Sequence, residues 1–154
     1  MKLNYFIIPL FTIAVAWAGS AVTAAGMAWY KTINLPGFTP PGAVIGAVWT
    51  VIFILATVAA LIFWNSTTSL SPKFWLVVVL LVLNGLLNFL WSYLFFGQHL
   101  IGVAVFEAAL LGLSVIALII LIWPVSRLAA ILLLPYAGWV GFATYLTYSV
   151  WQLN

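Results

Sequence analysis

Residues 101–123 read IGVAVFEAALLGLSVIALIILIW, with a single charged side chain, Glu107, and no proline. A helix needs about 20 mainly apolar residues to cross the hydrocarbon core of a bilayer, so this stretch predicts a transmembrane helix. Runs of similar length and character occupy residues 5–27, 43–64, 74–96 and 126–150. The sequence therefore predicts an all-α integral membrane protein, a compact bundle of five transmembrane helices that forms one domain over residues 1–154.

The composition excludes several classes of protein. Of the 154 residues, 68% are hydrophobic and 3% are charged, whereas a soluble domain has about 25% charged residues. The net charge of +3 comes from four isolated cations, Lys2, Lys31, Lys73 and Arg127, so no nucleic-acid interface is expected. With no cysteine, one histidine and one acid, the chain has no thiol chemistry, and we predict no metal site.

One long connection separates the first two spans. Residues 28–42 read AWYKTINLPGFTPPG, and the prolines fix backbone angles and remove hydrogen-bond donors, which predicts an ordered, non-helical cap. The connections at residues 65–73, at residues 97–99 and at Pro124 are short. Short connections favour antiparallel neighbours, as expected for a bundle.

The distribution of cations predicts the orientation in the membrane. Five spans place Lys2, Lys73 and Arg127 on one side and Lys31 on the other, so the positive-inside rule predicts a cytoplasmic N-terminus. The alternative is a secretory signal cleaved near residues 16–18, where the sequence is Ala-Trp-Ala. The apolar run continues to Met27, which is a transmembrane length, and this favours a membrane span.

The tryptophans fall into two groups. Those at predicted helix ends fit the aromatic belts of membrane interfaces; they are Trp29, Trp64, Trp75, Trp123 and Trp151. Those inside the spans need another explanation; they are Trp17, Trp49, Trp91 and Trp139. The predicted order of the five spans places Trp49 and Trp91 in the leaflet below the proline-rich loop, with Trp139 deeper in the membrane.

Two polar stripes accompany these interior tryptophans. Asn84 and Asn88 precede Trp91 at helical spacing, and Tyr136 precedes Trp139 and Ala143. Amides inside a membrane span should face the bundle interior, where they either serve a ligand or bond neighbouring helices. A kink at Pro135 would open a gap in the packing. An aromatic gap below a rigid loop predicts a pocket for a large, flat, apolar ligand.

Several other residues keep two interpretations. Glu107 is a functional candidate because it is an acid inside a span, or it is simply protonated and hydrogen-bonded or at an edge. His99 is a loop residue, with axial haem ligation as the alternative. The small residues Gly42 and Gly46, and the series of Ala104, Ala108 and Gly112, pack either within the monomer or across a dimer seam.

Three stretches together resemble one family. They are WYKTINLPGFTPPGAVIGAVW at residues 29–49, LNFLWSYLFFGQHLIG at residues 87–102 and LLPYAGWVGFATYLTYSVWQLN at residues 133–154. This set is similar to the translocator protein family, also called tryptophan-rich sensory proteins or peripheral benzodiazepine receptors, and most of all to its bacterial members. The resemblance implies a five-helix bundle in a bacterial cell membrane, often a homodimer, that binds protoporphyrin IX and synthetic benzodiazepine-receptor ligands.

The resemblance also implies residue roles and an activity. Bacterial members are associated with light-dependent oxidative degradation of porphyrin, which makes the porphyrin a ligand or substrate and requires no separate cofactor. By position, the tryptophans responsible would be Trp49 and Trp139. The ligand-binding positions carried over are Gly19, Val22, Tyr30, Pro40, Pro41, Ile45, Asn88, Trp91, Phe106, Leu110 and Ala143. Glu107 lies where the family often has an acid.

One departure from the family concerns sterols. The family's cholesterol motif ends in Lys or Arg, whereas here Leu146 and Tyr148 are followed by no basic residue. Cholesterol binding is therefore not expected, and the motif is weak evidence even when complete. Binding with photochemistry is the first functional hypothesis. The alternatives are a transporter of tetrapyrroles or similar molecules, which an odd number of helices disfavours, and a ligand-responsive membrane sensor.

Overall fold

The structure is a computed structural model that describes residues 3–67 and 71–154. Helix α1 spans Asn4–Tyr30, α2 spans Gly42–Ser66, and α3 spans Pro72–Ser92 and continues as a π-helical turn, Tyr93–Gly97. Helix α4 spans Ile101–Ile122, α5 spans Arg127–Leu132 and α6 spans Leu134–Leu153. Since α5 and α6 together form one span, the described part of the chain has five stretches that are long and apolar enough to cross a membrane. The predicted fold class is confirmed.

Local sequence explains where the helices begin and break. The hydroxyl of Ser71 accepts a hydrogen bond from the Phe74 amide at 3.3 Å at the start of α3, and Ser126 does the same for Ala129 at 3.3 Å at the start of α5. Both are N-cap bonds, which satisfy amides that have no partner within the helix. The last span breaks at Leu133, two residues before Pro135, where the missing proline amide weakens the helix. Residues 68–70 of the predicted connection lie outside the described residues.

Helix α4 is the centre of the bundle and packs mainly against α3 and α6. Its inward face is buried over the whole length of the helix; the residues are Ala104, Glu107, Ala108, Leu111, Ser114, Val115, Leu118 and Ile122. A side chain added at Gly112 would contact Val140 of α6 at 3.4 Å. The small residues of α4 therefore serve packing within the monomer, one of the two interpretations left open above.

Two hydrophobic clusters divide the interior. The large cluster contains Phe63, Phe74, Leu111, Leu133 and Tyr136 among others, with Trp49 and Trp139 packed against it. The loop-side cluster contains Phe95, Phe96, Ala104 and Val150, with Val22, Tyr30 and Trp91 packed against it. The outer surface is apolar as well; Trp17, for example, is 74% exposed. An apolar exterior around a packed interior is what a bilayer requires.

The π-helical turn brings α3 close to α1. A methyl group on Gly26 of α1 would clash with the carbonyl oxygen of Phe96 and lie 2.8 Å from its Cβ. Only glycine permits this approach, because it has no side chain. His99 then takes a positive φ of 58° where the chain turns toward α4, and its ring stacks on Trp29 with centroids 4.1 Å apart.

Candidate functional site

A buried hydrogen-bond network joins α3, α4 and α6. The Asn84 amide donates to the Ser114 hydroxyl at 2.8 Å, and the Tyr136 hydroxyl donates to the Asn84 oxygen at 3.1 Å. The Asn88 amide donates to the Tyr136 hydroxyl at 3.2 Å. Both asparagines thus face the interior, as predicted, and both bond neighbouring helices, so the interpretation as interhelical bonds holds for Asn88 as well as for Asn84. Ser114 was not a predicted site residue, although it lies seven residues from Glu107 on the same face of α4.

Aromatic side chains surround this network. The ring of Trp49 meets the ring of Tyr136 edge to face, with centroids 6.0 Å apart. Trp139 follows Tyr136 by one helical turn and contacts Phe142 at 5.3 Å. Trp49, Tyr136 and Trp139 therefore share the large cluster. Trp91 lies in the loop-side cluster, where its ring stacks on Phe95 at 5.1 Å.

An open groove of about 480 Å³ lies between α2 and α6. Its α2 wall includes Val48 and Ile52, and its α6 wall includes Pro135, Gly138 and Trp139. The backbone of α2 packs against α5 and comes close to that of α6 at few positions, so the groove is a gap in the helix packing at the surface of the bundle. Its volume lies within the range of roughly 300–1,000 Å³ that is usual for ligand sites. Every lining side chain is apolar, and the indole nitrogen of Trp139 is itself buried.

Four buried polar atoms have no hydrogen-bond partner among residues 3–67 and 71–154. They are both carboxyl oxygens of Glu107 and the indole nitrogens of Trp91 and Trp139. Buried polar groups in native proteins almost always have a partner, so such atoms need an explanation. Two of the four interior tryptophans that the sequence singled out, together with the one acid, are thus the residues whose polar atoms the fold leaves unsatisfied.

The loop between α1 and α2 is fastened to the end of α6. The backbone N–H of Asn34 donates to the side-chain oxygen of Asn154 at 2.9 Å, and the side-chain nitrogen of Asn154 donates to the backbone carbonyl of Asn34 at 3.0 Å. Phe38 stacks on Tyr145 of α6 at 5.5 Å. The loop is therefore an ordered cap over this end of the bundle.

The remaining predicted site residues lie in three places. Phe106 and Leu110 are 68% and 57% exposed on the outer face of α4, so the structure does not bring them to the network. Tyr30 and Val22 pack in the loop-side cluster, and Gly19 lies where a side chain would contact the Ser92 hydroxyl at 3.4 Å. Pro40 and Pro41 lie in the loop before α2, whereas Ile45 is part of α2 and Ala143 is part of α6.

Fold and site together define a small polytopic membrane protein with aromatic and amide side chains inside its helical bundle. Residues 7–152 match the TspO/MBR family. The chain belongs to this family, which confirms the resemblance drawn from the sequence.

Relatives from distant organisms match nearly the whole chain. The Tryptophan-rich protein TspO of Bacillus cereus is 30% identical over 154 residues, covering 100% of this chain and 99% of the relative. Protein CrtK of Rhodobacter capsulatus is 33% identical over 159 residues, covering 100% and 95%. The human Translocator protein is 33% identical over 135 residues, covering 86% and 79%. The protein is therefore an integral membrane protein with relatives in bacteria and in animals.

Proposed function

We propose that this protein binds tetrapyrroles such as protoporphyrin IX, and synthetic benzodiazepine-receptor ligands, in the aromatic site, and promotes light-dependent oxidative degradation of the bound porphyrin. The groove between α2 and α6 carries the proposal, because it places Trp139 on an open apolar wall in the same cluster as Trp49.

The shape and chemistry of the groove suit a flat apolar ligand. Its walls offer aliphatic side chains and one indole, and no charged group lines it. Such walls favour stacking and dispersion over ionic contacts. Because the groove opens at the apolar surface of the bundle, a membrane-dissolved ligand can reach it without crossing water. This argument supports a porphyrin, whose macrocycle is flat and apolar.

The reaction needs an oxidisable side chain, light and dioxygen. The photoexcited porphyrin takes one electron from the indole of Trp49 or Trp139, which leaves a porphyrin radical anion beside an indole radical cation. One dioxygen molecule then adds across a methine carbon–carbon double bond of the macrocycle. That bond breaks to give two carbonyl groups, and the electron returns to the indole. Both oxygen atoms end in the product, so no further oxidant or reductant is consumed.

The test replaces both tryptophans. Purified protein in detergent is titrated with protoporphyrin IX, followed by tryptophan quenching and porphyrin absorbance, and the complex is then illuminated in air. We expect saturable binding and light-dependent loss of porphyrin in the natural protein. Trp49→Phe combined with Trp139→Phe should abolish that loss, because phenylalanine keeps an aromatic ring but is much harder to oxidise.

A matched control keeps the number of tryptophans equal. Trp17→Phe combined with Trp123→Phe removes two indoles that are 74% and 44% exposed on the outer surface, and it should leave the light-dependent loss unchanged. Equal loss in both double variants would contradict the photochemical role. Binding without any light-dependent loss would instead favour transport or sensing, and porphyrin flux into sealed proteoliposomes would then distinguish these two.

We also propose that the N-terminus is cytoplasmic and that the membrane is the bacterial cell membrane. Lys73 and Arg127 are exposed at the starts of α3 and α5, at one end of the bundle, and Lys31 is exposed at the other end. Lys2, the third cation of the prediction, lies outside the described residues. The positive-inside rule supports this orientation.

A further inference from the structure

Trp91, Trp139 and Glu107 carry the unpartnered polar atoms; Trp91 packs against the loop-side cluster and Trp139 against the large cluster. On α4, Ala104 lies about one turn before Glu107 and belongs to the loop-side cluster with Trp91. Leu111 lies about one turn after Glu107 and belongs to the large cluster with Trp139. Glu107 is therefore a buried residue of α4 that lies between the loop-side cluster and the large cluster along the helix.

The hydrogen-bond network fixes the relative heights of these residues. Asn84 of α3 bonds Ser114 of α4, and the two helices are antiparallel. From that bond, Trp91 lies seven residues further along α3 and Glu107 lies seven residues back along α4, so each is about 10 Å nearer the loop. The Cα atoms of Glu107 and Trp91 consequently occupy about the same level.

On the third helix, Trp139 lies between the level of the network and the level of Glu107 and Trp91. Helices α3 and α6 both run toward the loop, since Phe96 meets α1 near its end and Asn154 binds Asn34. Trp139 follows Tyr136 by three residues, or about 4.5 Å along α6. The residues that carry the unsatisfied buried polar atoms of the described chain thus lie about one to two helical turns from the network, on its loop side.

The chemistry of these groups selects a ligand. Glu107 is 5% exposed, and an ionised carboxyl group without a partner is very costly in such surroundings, so the neutral acid is the form that fits. A neutral carboxylic acid offers one donor and one acceptor, and each indole offers one donor. This set matches a second carboxylic acid, which can pair with Glu107 through two hydrogen bonds and accept others from the indoles.

We propose that Glu107, Trp91 and Trp139 form a hydrogen-bonding subsite for a carboxyl group carried by a flat apolar ligand. The inference rests on the proposed function, because it names the part of the ligand that enters the bundle interior. Protoporphyrin IX carries two carboxyl groups on its otherwise apolar macrocycle. Glu107 and Trp91 do not line the groove, so in this arrangement the macrocycle lies against the groove wall at Trp139 and one carboxyl group enters the bundle from there toward Glu107.

The experiment compares two porphyrins on two variants of one residue. Protoporphyrin IX carries carboxyl groups, and etioporphyrin I has the same macrocycle with alkyl groups only. Glu107→Leu should weaken protoporphyrin binding about tenfold, the equivalent of one or two lost hydrogen bonds. Glu107→Gln keeps a donor and an acceptor and should bind within about threefold of the natural protein. Neither variant should change the affinity for etioporphyrin.

Trp91→Phe supplies a second, independent variant. It removes the indole donor and retains an aromatic ring against Phe95, so it should weaken protoporphyrin binding about threefold and spare etioporphyrin. Thermal unfolding of each variant in detergent shows that the fold is retained. Unchanged protoporphyrin affinity in Glu107→Leu would overturn the subsite, and so would an equal loss for both porphyrins.

A pair of simpler probes separates this inference from the proposed function. If the natural protein binds neither porphyrin, the proposed function fails, and pyrenebutyric acid is then compared with pyrene by fluorescence. A preference for pyrenebutyric acid that Glu107→Leu removes would uphold the carboxyl subsite by itself. No preference in the natural protein would overturn the subsite as well.

Discussion

Replacing Tyr136 by phenylalanine tests the buried network that supports the site. The change removes the hydroxyl that donates to Asn84 at 3.1 Å and accepts from Asn88 at 3.2 Å, and leaves an oxygen and an amide unsatisfied in the interior. Hydrogen bonds between membrane helices contribute about 0.6 kcal/mol on average and up to about 1.7 kcal/mol. Loss of both bonds should therefore lower the free energy of unfolding by about 1–3 kcal/mol. The ring remains, so its packing against Trp49 should not change.

The measurement is the free energy of unfolding in mixed micelles, obtained by titration with a denaturing detergent and followed by circular dichroism. Tyr148→Phe is the matched control, because Tyr148 is 45% exposed and its ring contacts only Trp151 among the aromatic residues described, at 6.3 Å. This control should change stability by less than about 0.5 kcal/mol, as is usual for surface substitutions. Equal stability losses in the two variants would refute the assignment of the network as a stabilising element.

Two further predictions concern packing and orientation. Gly26→Ala should destabilise the protein by about 1–3 kcal/mol because the methyl group collides with the backbone at Phe96. A methyl group at Gly46 would meet nothing within 4 Å, so Gly46→Ala should be neutral or stabilise α2 by up to about 1 kcal/mol through helix propensity. Similar losses of stability in the Gly26 and Gly46 variants would contradict the close approach of α1 to Phe96. The orientation can be tested with single cysteines, because the chain has none. Gln98→Cys should react with a membrane-impermeant maleimide in intact cells, whereas Ser66→Cys should react only after lysis. The reverse result would contradict the cytoplasmic N-terminus.

The sequence was sufficient to predict the membrane class and much of the interior. Long apolar runs identify the spans whatever their neighbours are, because the bilayer itself sets the length. The inward direction of Asn84 and Asn88 followed from the cost of exposing an amide to lipid. The helix break before Pro135 followed from the missing amide. Each of these inferences depends on one residue and its solvent, and none depends on tertiary contacts.

The parts that could not be predicted depend on contacts between distant residues. Helix α4 is apolar on all sides, so no helical periodicity distinguishes exposed Phe106 from buried Leu111. The pairing of Asn34 with Asn154 joins residues 120 positions apart, and neither residue carries a local signal. The π-helical turn at Tyr93–Gly97 likewise arises where α3 meets α1. The unsatisfied oxygens of Glu107 become visible only once every neighbour is placed.

The break at Leu133 explains why a groove exists where the site needs one. An unbroken last span would follow a single direction, whereas a break lets its two parts pack differently. Here α5 packs against both α2 and α4, whereas α6 packs mainly against α4. Helices α2 and α6 therefore separate beyond the break, and the gap between them is the groove. Pro135 both weakens the helix at this point and forms part of the exposed wall. The same proline therefore creates the opening and lines it, one turn of helix away from Trp139.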